Sequence, residues 1–157
     1  MVATDIVALI SGQVASEVGL EPESTNRIAV YTPFVYPDGD HCSFAAVRGP
    51  GADTWRLTDE GDVLIHAGYS GVDLKSEPRL ARFQAATRFY GVMESNGELS
   101  FAVEESQFGD AIFGFSQACL EIIGLTKLPV ERKPRIAPAF RSVARDDGGR
   151  GRYADEF

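Results

Sequence analysis

Residues 32–61 have the sequence TPFVYPDGDHCSFAAVRGPGADTWRLTDEG, and this stretch decides the fold. The segment Pro37-Asp38-Gly39-Asp40 favours a tight turn, because proline presets φ and Asp-Gly tolerates positive φ. Runs of β-branched and aromatic residues lie on both sides of the turn. They predict a hairpin of two strands, over residues 27–35 and 41–47, with Pro33 kinking the first strand or confining it to an edge.

The rest of the chain surrounds this hairpin with further strand and helix patterns. A third strand is expected over residues 54–57, and the ambiguous residues 62–69 favour a helix because acids precede them. Residues 20–26 read as a polar loop with Pro22. Apolar spacing and turn residues predict helices over residues 4–18, 78–90 and 106–125, and a second hairpin with strands over residues 92–94 and 98–103 around Asn96-Gly97.

These elements fit one domain followed by a tail. We expect an α+β domain over residues 1–128, with a mostly antiparallel sheet of about five strands and three main helices packed on it. Residues 129–157 contain three prolines and the segment Gly148-Gly149-Arg150-Gly151. This composition predicts a disordered tail rich in Pro, Gly and Arg.

The charge is acidic and unevenly distributed. The net charge is −8, and residues 1–130 hold 8 Lys and Arg against 18 Asp and Glu, whereas residues 131–157 hold 7 against 5. An acidic body argues against direct nucleic-acid binding through Arg79, Arg82, Arg88 or the tail. No apolar run approaches the roughly 18 residues of a membrane span, and the N-terminus lacks a secretory pattern, so we expect a cytoplasmic protein without membrane segments.

Several short motifs occur in a characteristic order. They are Thr32-Pro33-Phe34, Asp40, Leu57-Thr58-Asp59-Glu60-Gly61, Gly71-Val72-Asp73-Leu74, Gly91-Val92 and Asn96-Gly97-Glu98-Leu99. With them, about residues 5–127 resemble the family catalogued as domain of unknown function 1828. The resemblance implies a protein of bacterial, phage or prophage genomes with no established activity. The chain departs from the family at residues 36–39, where members often carry an apolar-rich, basic turn, so this loop is expected to differ.

The densest group of candidate acids, bases and metal ligands belongs to the two turns. It consists of Asp38, Asp40, His41, Asp59 and Glu60. If the hairpin brings the turns together, these side chains could hold a divalent cation and support a metal-dependent nuclease or hydrolase. The alternative is that they only build turns. No lysine follows an acid at the spacing common in nucleases, so we assign no metal or cofactor, and His66 is expected to be a polar edge residue.

Candidate interface residues lie on a strand and on the last helix. Trp55 and Arg56 are residue types enriched in protein interfaces, although a tryptophan at a strand end also serves as packing. Phe113 and Leu120 belong to a second apolar stripe of the last helix. A helix with two apolar sides is buried between layers or covers one side with a partner, which includes a second copy in a homodimer.

The absence of a catalytic signature favours a binding module over an enzyme. We expect a phage- or prophage-type protein-interaction module whose partner is a protein of bacterial or phage origin. One specific form is an acidic inhibitor of a bacterial defence system, which presents acids where the target expects nucleic acid. The alternative is the metal-dependent nuclease or hydrolase built on the acidic turns.

Overall fold

The computed structural model describes residues 2–127, which form an α+β fold as expected. The helices are α1 (Ala3–Ala15), α2 (Asp62–Tyr69), α3 (Leu80–Tyr90) and α4 (Phe108–Gly124). The strands are β1 (Gly19–Ser24), β2 (Arg27–Val35), β3 (His41–Val47), β4 (Trp55–Thr58), β5 (Met93–Ser95) and β6 (Glu98–Val103). Short 3₁₀ turns, Glu105–Gln107 and Leu125–Lys127, flank α4. The predicted tail, residues 129–157, lies outside the described residues.

The six strands form one antiparallel sheet in the order β1-β2-β3-β4-β6-β5. The hairpin of β2 and β3 has the predicted bounds, and the Tyr36 N–H donates to the Asp40 carbonyl across its turn at 2.8 Å. The β2–β3 register shifts between Tyr31 and Val35. Pro33 lies in this interval, where the missing N–H of proline interrupts no regular ladder.

The prediction of a loop over residues 20–26 was wrong, because β1 occupies most of this segment. β1 pairs with β2 through Leu20–Val30 and Pro22–Ile28 and forms an edge of the sheet. An edge strand has one unpaired side, which accommodates proline. β1 is the additional strand that brings the sheet from the expected five to six.

The core lies between the sheet and α4. With its flanking turns, this helix is long and apolar enough to cross a membrane by length and composition alone. However, it buries Ile112, Phe115, Cys119 and Ile122, and the Phe115 ring contacts Phe44 of β3 edge to face at 4.9 Å between centroids. This is the arrangement of the core helix in a soluble domain.

A buried carboxylate joins β4, α2 and β6. Asp59 is 3% exposed, and its Oδ1 accepts hydrogen bonds from the backbone N–H groups of Gly61 at 2.9 Å and Leu99 at 2.8 Å. Its Oδ2 accepts a third bond from the Val63 N–H at 2.9 Å. Burial raises the pKa of Asp59, and the three N–H donors act in the opposite direction without cancelling it. Asp59 therefore holds the turn after β4, the start of α2 and strand β6 together. We call Asp59 with these three hydrogen bonds the bracket.

We expect Asp59→Asn to lower the free energy of unfolding by about 1–3 kcal/mol. The amide nitrogen would replace one acceptor oxygen, and a backbone N–H that now donates to that oxygen would face a second donor. Urea denaturation at neutral pH measures the change. Asp53→Asn, at an exposed position, is the matched control, and equal stability of the two variants would contradict the structural role of Asp59.

Candidate functional site

Three carboxylates surround the imidazole of His66. α2 places His66 one turn after Asp62, and the β2–β3 turn brings Asp38 and Asp40 next to it. The Nδ1 of His66 bonds to Asp38, while its Nε2 lies 3.5 Å from Asp62 Oδ1 and 3.7 Å from Asp40 Oδ2. The His66 side chain is only 7% exposed. We call these four residues the His66 cluster.

The carboxylates favour the charged form of His66. Burial lowers the pKa of His66, but the hydrogen bond to Asp38 and the charges of Asp62, Asp38 and Asp40 outweigh it, and the net shift is upward. The bond from the Asp40 N–H, followed by the bond from His66, lowers the pKa of Asp38. The His66 contribution to stability is therefore complete below its unfolded-state pKa and is lost as pH rises through its raised folded-state pKa. The Asp38 contribution is lost as pH falls through its lowered pKa.

The same cluster has ligand types suited to a divalent metal. One ligand atom each from Asp38, Asp40 and His66 lies within 4.8 Å of the others. A metal-bound histidine commonly donates its second ring N–H to a carboxylate, and Asp38 is placed to accept such a bond from Nδ1. Nε2 would then be the ligand atom, beside the carboxylates of Asp40 and Asp62.

The five acid, base and ligand candidates predicted from the two turns do not gather at one point. Asp38 and Asp40 belong to the His66 cluster, whereas Asp59 is the buried bracket described above. Glu60 accepts two hydrogen bonds from the Arg27 guanidinium, at 2.8 and 2.9 Å, and these lower the pKa of Glu60.

His41 contacts the backbone, since its Nδ1 is 3.3 Å from the Thr32 carbonyl oxygen. Sequence reasoning placed His66 at a polar edge and did not associate it with carboxylates. The sequence had singled out Asp38 and Asp40, and the spacing of Asp62 and His66, four residues apart on α2, was the local signal that could have linked His66 to a carboxylate.

Trp55 and Arg56 occupy different environments. Trp55 is 6% exposed, and its indole N–H donates to Glu105 at 3.2 Å. The guanidinium carbon of Arg48 lies 4.4 Å from the centroid of the Trp55 ring, in a cation–π contact. Arg56 is exposed and bonds Glu98 at 2.8 Å.

The second stripe of α4 is partly uncovered. Leu120 is half-buried, but Phe113 is 51% exposed and contacts solvent beside α1. An apolar groove of about 510 Å³ separates α1 from this part of α4. The groove has no charged lining residue, and it is lined by Ile10, Ser11, Val14, Ala15, Val18, Leu20, Gly109, Ile112 and Phe113.

α1 itself buries no residue. At 100° per residue, its apolar side chains cover about half of the helix circumference. Together with neighbouring residues they form what we call the α1 surface. Its exposed large apolar residues are Val2, Ile6, Val7, Leu9, Ile10, Val14, Leu20 and Phe113.

The segment that carries most of the α1 surface is acidic. Residues 2–26 contain four acids and no Lys or Arg. The acids are Asp5, Glu17, Glu21 and Glu23, and all four are exposed. The surface therefore combines an apolar centre with acids in the same segment, of which Glu23 already forms an ion pair with Arg27 at 2.7 Å.

We expect Asp38→Asn to lower the pKa of His66, because it removes a charged hydrogen-bond acceptor from the imidazole. Titration of the His66 ring protons by NMR measures the change. Asp53→Asn should leave this titration unchanged. An unaltered His66 pKa in Asp38→Asn would show that the two side chains do not interact in solution.

A family model described as "Domain of unknown function DUF1828" matches residues 32–122. The match covers more than half of the 157 residues and confirms the resemblance seen in the motifs. α1 and β1 precede the matched range. No curated protein and no solved structure matches the chain. The chain belongs to the DUF1828 family.

Proposed function

We propose that this protein is a protein-interaction module that binds its partner on the α1 surface. The observation that carries the proposal is that α1 buries no residue although about half of its circumference is apolar. An isolated helix of 13 residues is marginal in water, and most helices gain their stability from packing of an apolar face. A partner that covers this face would supply the missing packing.

The charge of the α1 surface indicates the chemistry of the partner. Residues 2–26 carry four acids and no base, and Glu23 is paired with the neighbouring Arg27. The other three acids, Asp5, Glu17 and Glu21, make a partner with an apolar centre and flanking Lys or Arg complementary. Helices that bind anionic membranes carry Lys and Arg on their polar face, which α1 lacks. The same negative charge disfavours binding to the phosphate backbone of a nucleic acid.

The family resemblance implies a bacterial, phage or prophage protein, and we infer the origin of the partner from it. We place the interaction in the cytoplasm, with a bacterial or phage protein as the target. A basic, nucleic-acid-binding component of a bacterial defence system is the specific form, and this chain would inhibit it by covering its basic surface. A homodimer through Phe113 of α4 would use the same surface, but it would bring the acids of two copies together.

We expect Val14→Glu to weaken partner binding by roughly tenfold or more, because it places a charge inside the apolar groove. Val14 is 58% exposed, so the substitution leaves the core intact. Affinity capture from a bacterial lysate, followed by titration of the captured partner, measures the change. Binding should also weaken as salt concentration rises, because acidic and basic groups face each other.

Ala8→Glu is the matched control, since Ala8 is exposed on the polar side of the same helix. It should retain wild-type binding. Equal binding by Val14→Glu and Ala8→Glu would place the interaction elsewhere. A captured protein whose affinity changes neither with salt concentration nor with Val14→Glu would also count against the proposal.

A metal-dependent nuclease or hydrolase is the second candidate function, favoured by His66 Nε2, which lies 3.5 Å from Asp62 Oδ1 and 3.7 Å from Asp40 Oδ2. In this function a divalent cation would stabilise charge on a phosphoryl group. His66 and the exposed Asp40 would hold the cation, and Asp38 would orient the imidazole.

If this second function operates, the wild type should cleave DNA or RNA with Mg²⁺ or Mn²⁺, and Asp40→Asn should lose most of that activity. The side chain of Asp40 is 71% exposed, so the substitution tests ligation and not folding. Asp53→Asn should cleave at the wild-type rate. Absence of cleavage by the wild type, or equal cleavage by Asp40→Asn, would eliminate this candidate.

A further inference from the structure

We propose that residues 131–145 of the same chain occupy the α1 surface while no partner is bound. The inference rests on the proposed function, since it concerns the same surface. These residues have the sequence ERKPRIAPAFRSVAR and lie outside the described residues. The proposal follows from three observations on charge, apolar content and reach.

The segment has the charge and apolar content that the α1 surface requires of a partner. Residues 131–145 contain five Lys and Arg against one Glu, whereas residues 2–26 contain four acids and no base. Ile136, Phe140 and Val143 supply large apolar side chains between the arginines. An apolar core flanked by opposite charges is the complementarity expected of a specific contact.

The segment can also reach the surface from the end of the described chain. Phe113, at the groove, and Lys127 are 14 residues apart along α4 and its final turn, which corresponds to roughly 21 Å at the rise of an α-helix. Residues 128–135 span up to about 26 Å when extended. Ile136 and the apolar residues after it can therefore meet the groove.

Such an internal ligand would regulate the module. Because the segment is covalently attached, its effective concentration at the α1 surface is high even if its intrinsic affinity is weak. A partner would have to displace it, so only a protein with a better apolar and basic match would bind. The surface would also be shielded from water and from non-specific association before the partner arrives.

Hydrogen exchange of the α1 amides in the purified full chain tests the proposal without any partner. One variant reverses three charges, R132E/K133E/R135E, and a second, Phe140→Glu, removes the central apolar anchor. In both variants the amide hydrogens of residues 3–15 should exchange at least about tenfold faster than in the wild type, because residues 131–145 no longer cover α1. The amides of buried α4 residues should remain unchanged, which shows that the fold is intact.

The control is R150E/R152E, which reverses charges outside the segment and should exchange like the wild type. Equal α1 exchange in all variants would overturn the proposal. Protection of α1 that increases with protein concentration would overturn it as well, because the occupant would then be a second copy. Neither result bears on partner binding, which Val14→Glu tests separately.

Discussion

The buried carboxylate of Asp59 constrains much of the structure, because a buried charge is costly unless hydrogen-bond donors surround it. Its two oxygens accept three backbone N–H groups, from Gly61, Val63 and Leu99. These donors belong to the turn after β4, the start of α2 and the strand β6, which is 40 residues away in sequence at Leu99. One side chain therefore ties the middle of the sheet to the helix that carries His66. That helix in turn contacts the β2–β3 turn through the bond between His66 and Asp38.

Several polar residues of the turn after β4 and of strand β6 make contacts close to the Asp59 carboxylate. Thr58 accepts the Glu60 N–H at 3.0 Å, and Gly61 adopts a φ of 87°, which favours glycine. Glu98 accepts a bond from Arg56 at 2.8 Å, and the next residue, Leu99, donates to Asp59. The side chains of Thr58, Asp59 and Glu60 therefore all make contacts within the fold. In the functions proposed above, the α1 surface binds the partner, and the His66 cluster would hold any metal. Much of the α1 surface precedes the range matched by the family model.

Local patterns predicted the elements whose determinants are local. The hairpin of β2 and β3 follows from Pro37-Asp38-Gly39-Asp40 between β-rich runs, and α4 follows from its apolar spacing. β1 was missed because Leu-Glu-Pro-Glu-Ser contains a proline and no β-branched or aromatic residue, and it is a strand through its pairing with β2. The His66 cluster joins a turn to a helix 28 residues later at the Asp38–His66 bond, which no local spacing encodes. The sequence likewise predicted α1 and its apolar face but not that the fold leaves this face exposed.

NMR titration of the Gly61, Val63 and Leu99 amides, from acidic to neutral pH, tests the scaffold role of Asp59 most directly. A carboxylate that bonds all three N–H groups should move their resonances together, with a single inflection above the ordinary pKa of aspartate, because burial raises the pKa of Asp59. Three separate inflections, or amides that do not respond to pH, would show that Asp59 does not join these segments and would contradict the account.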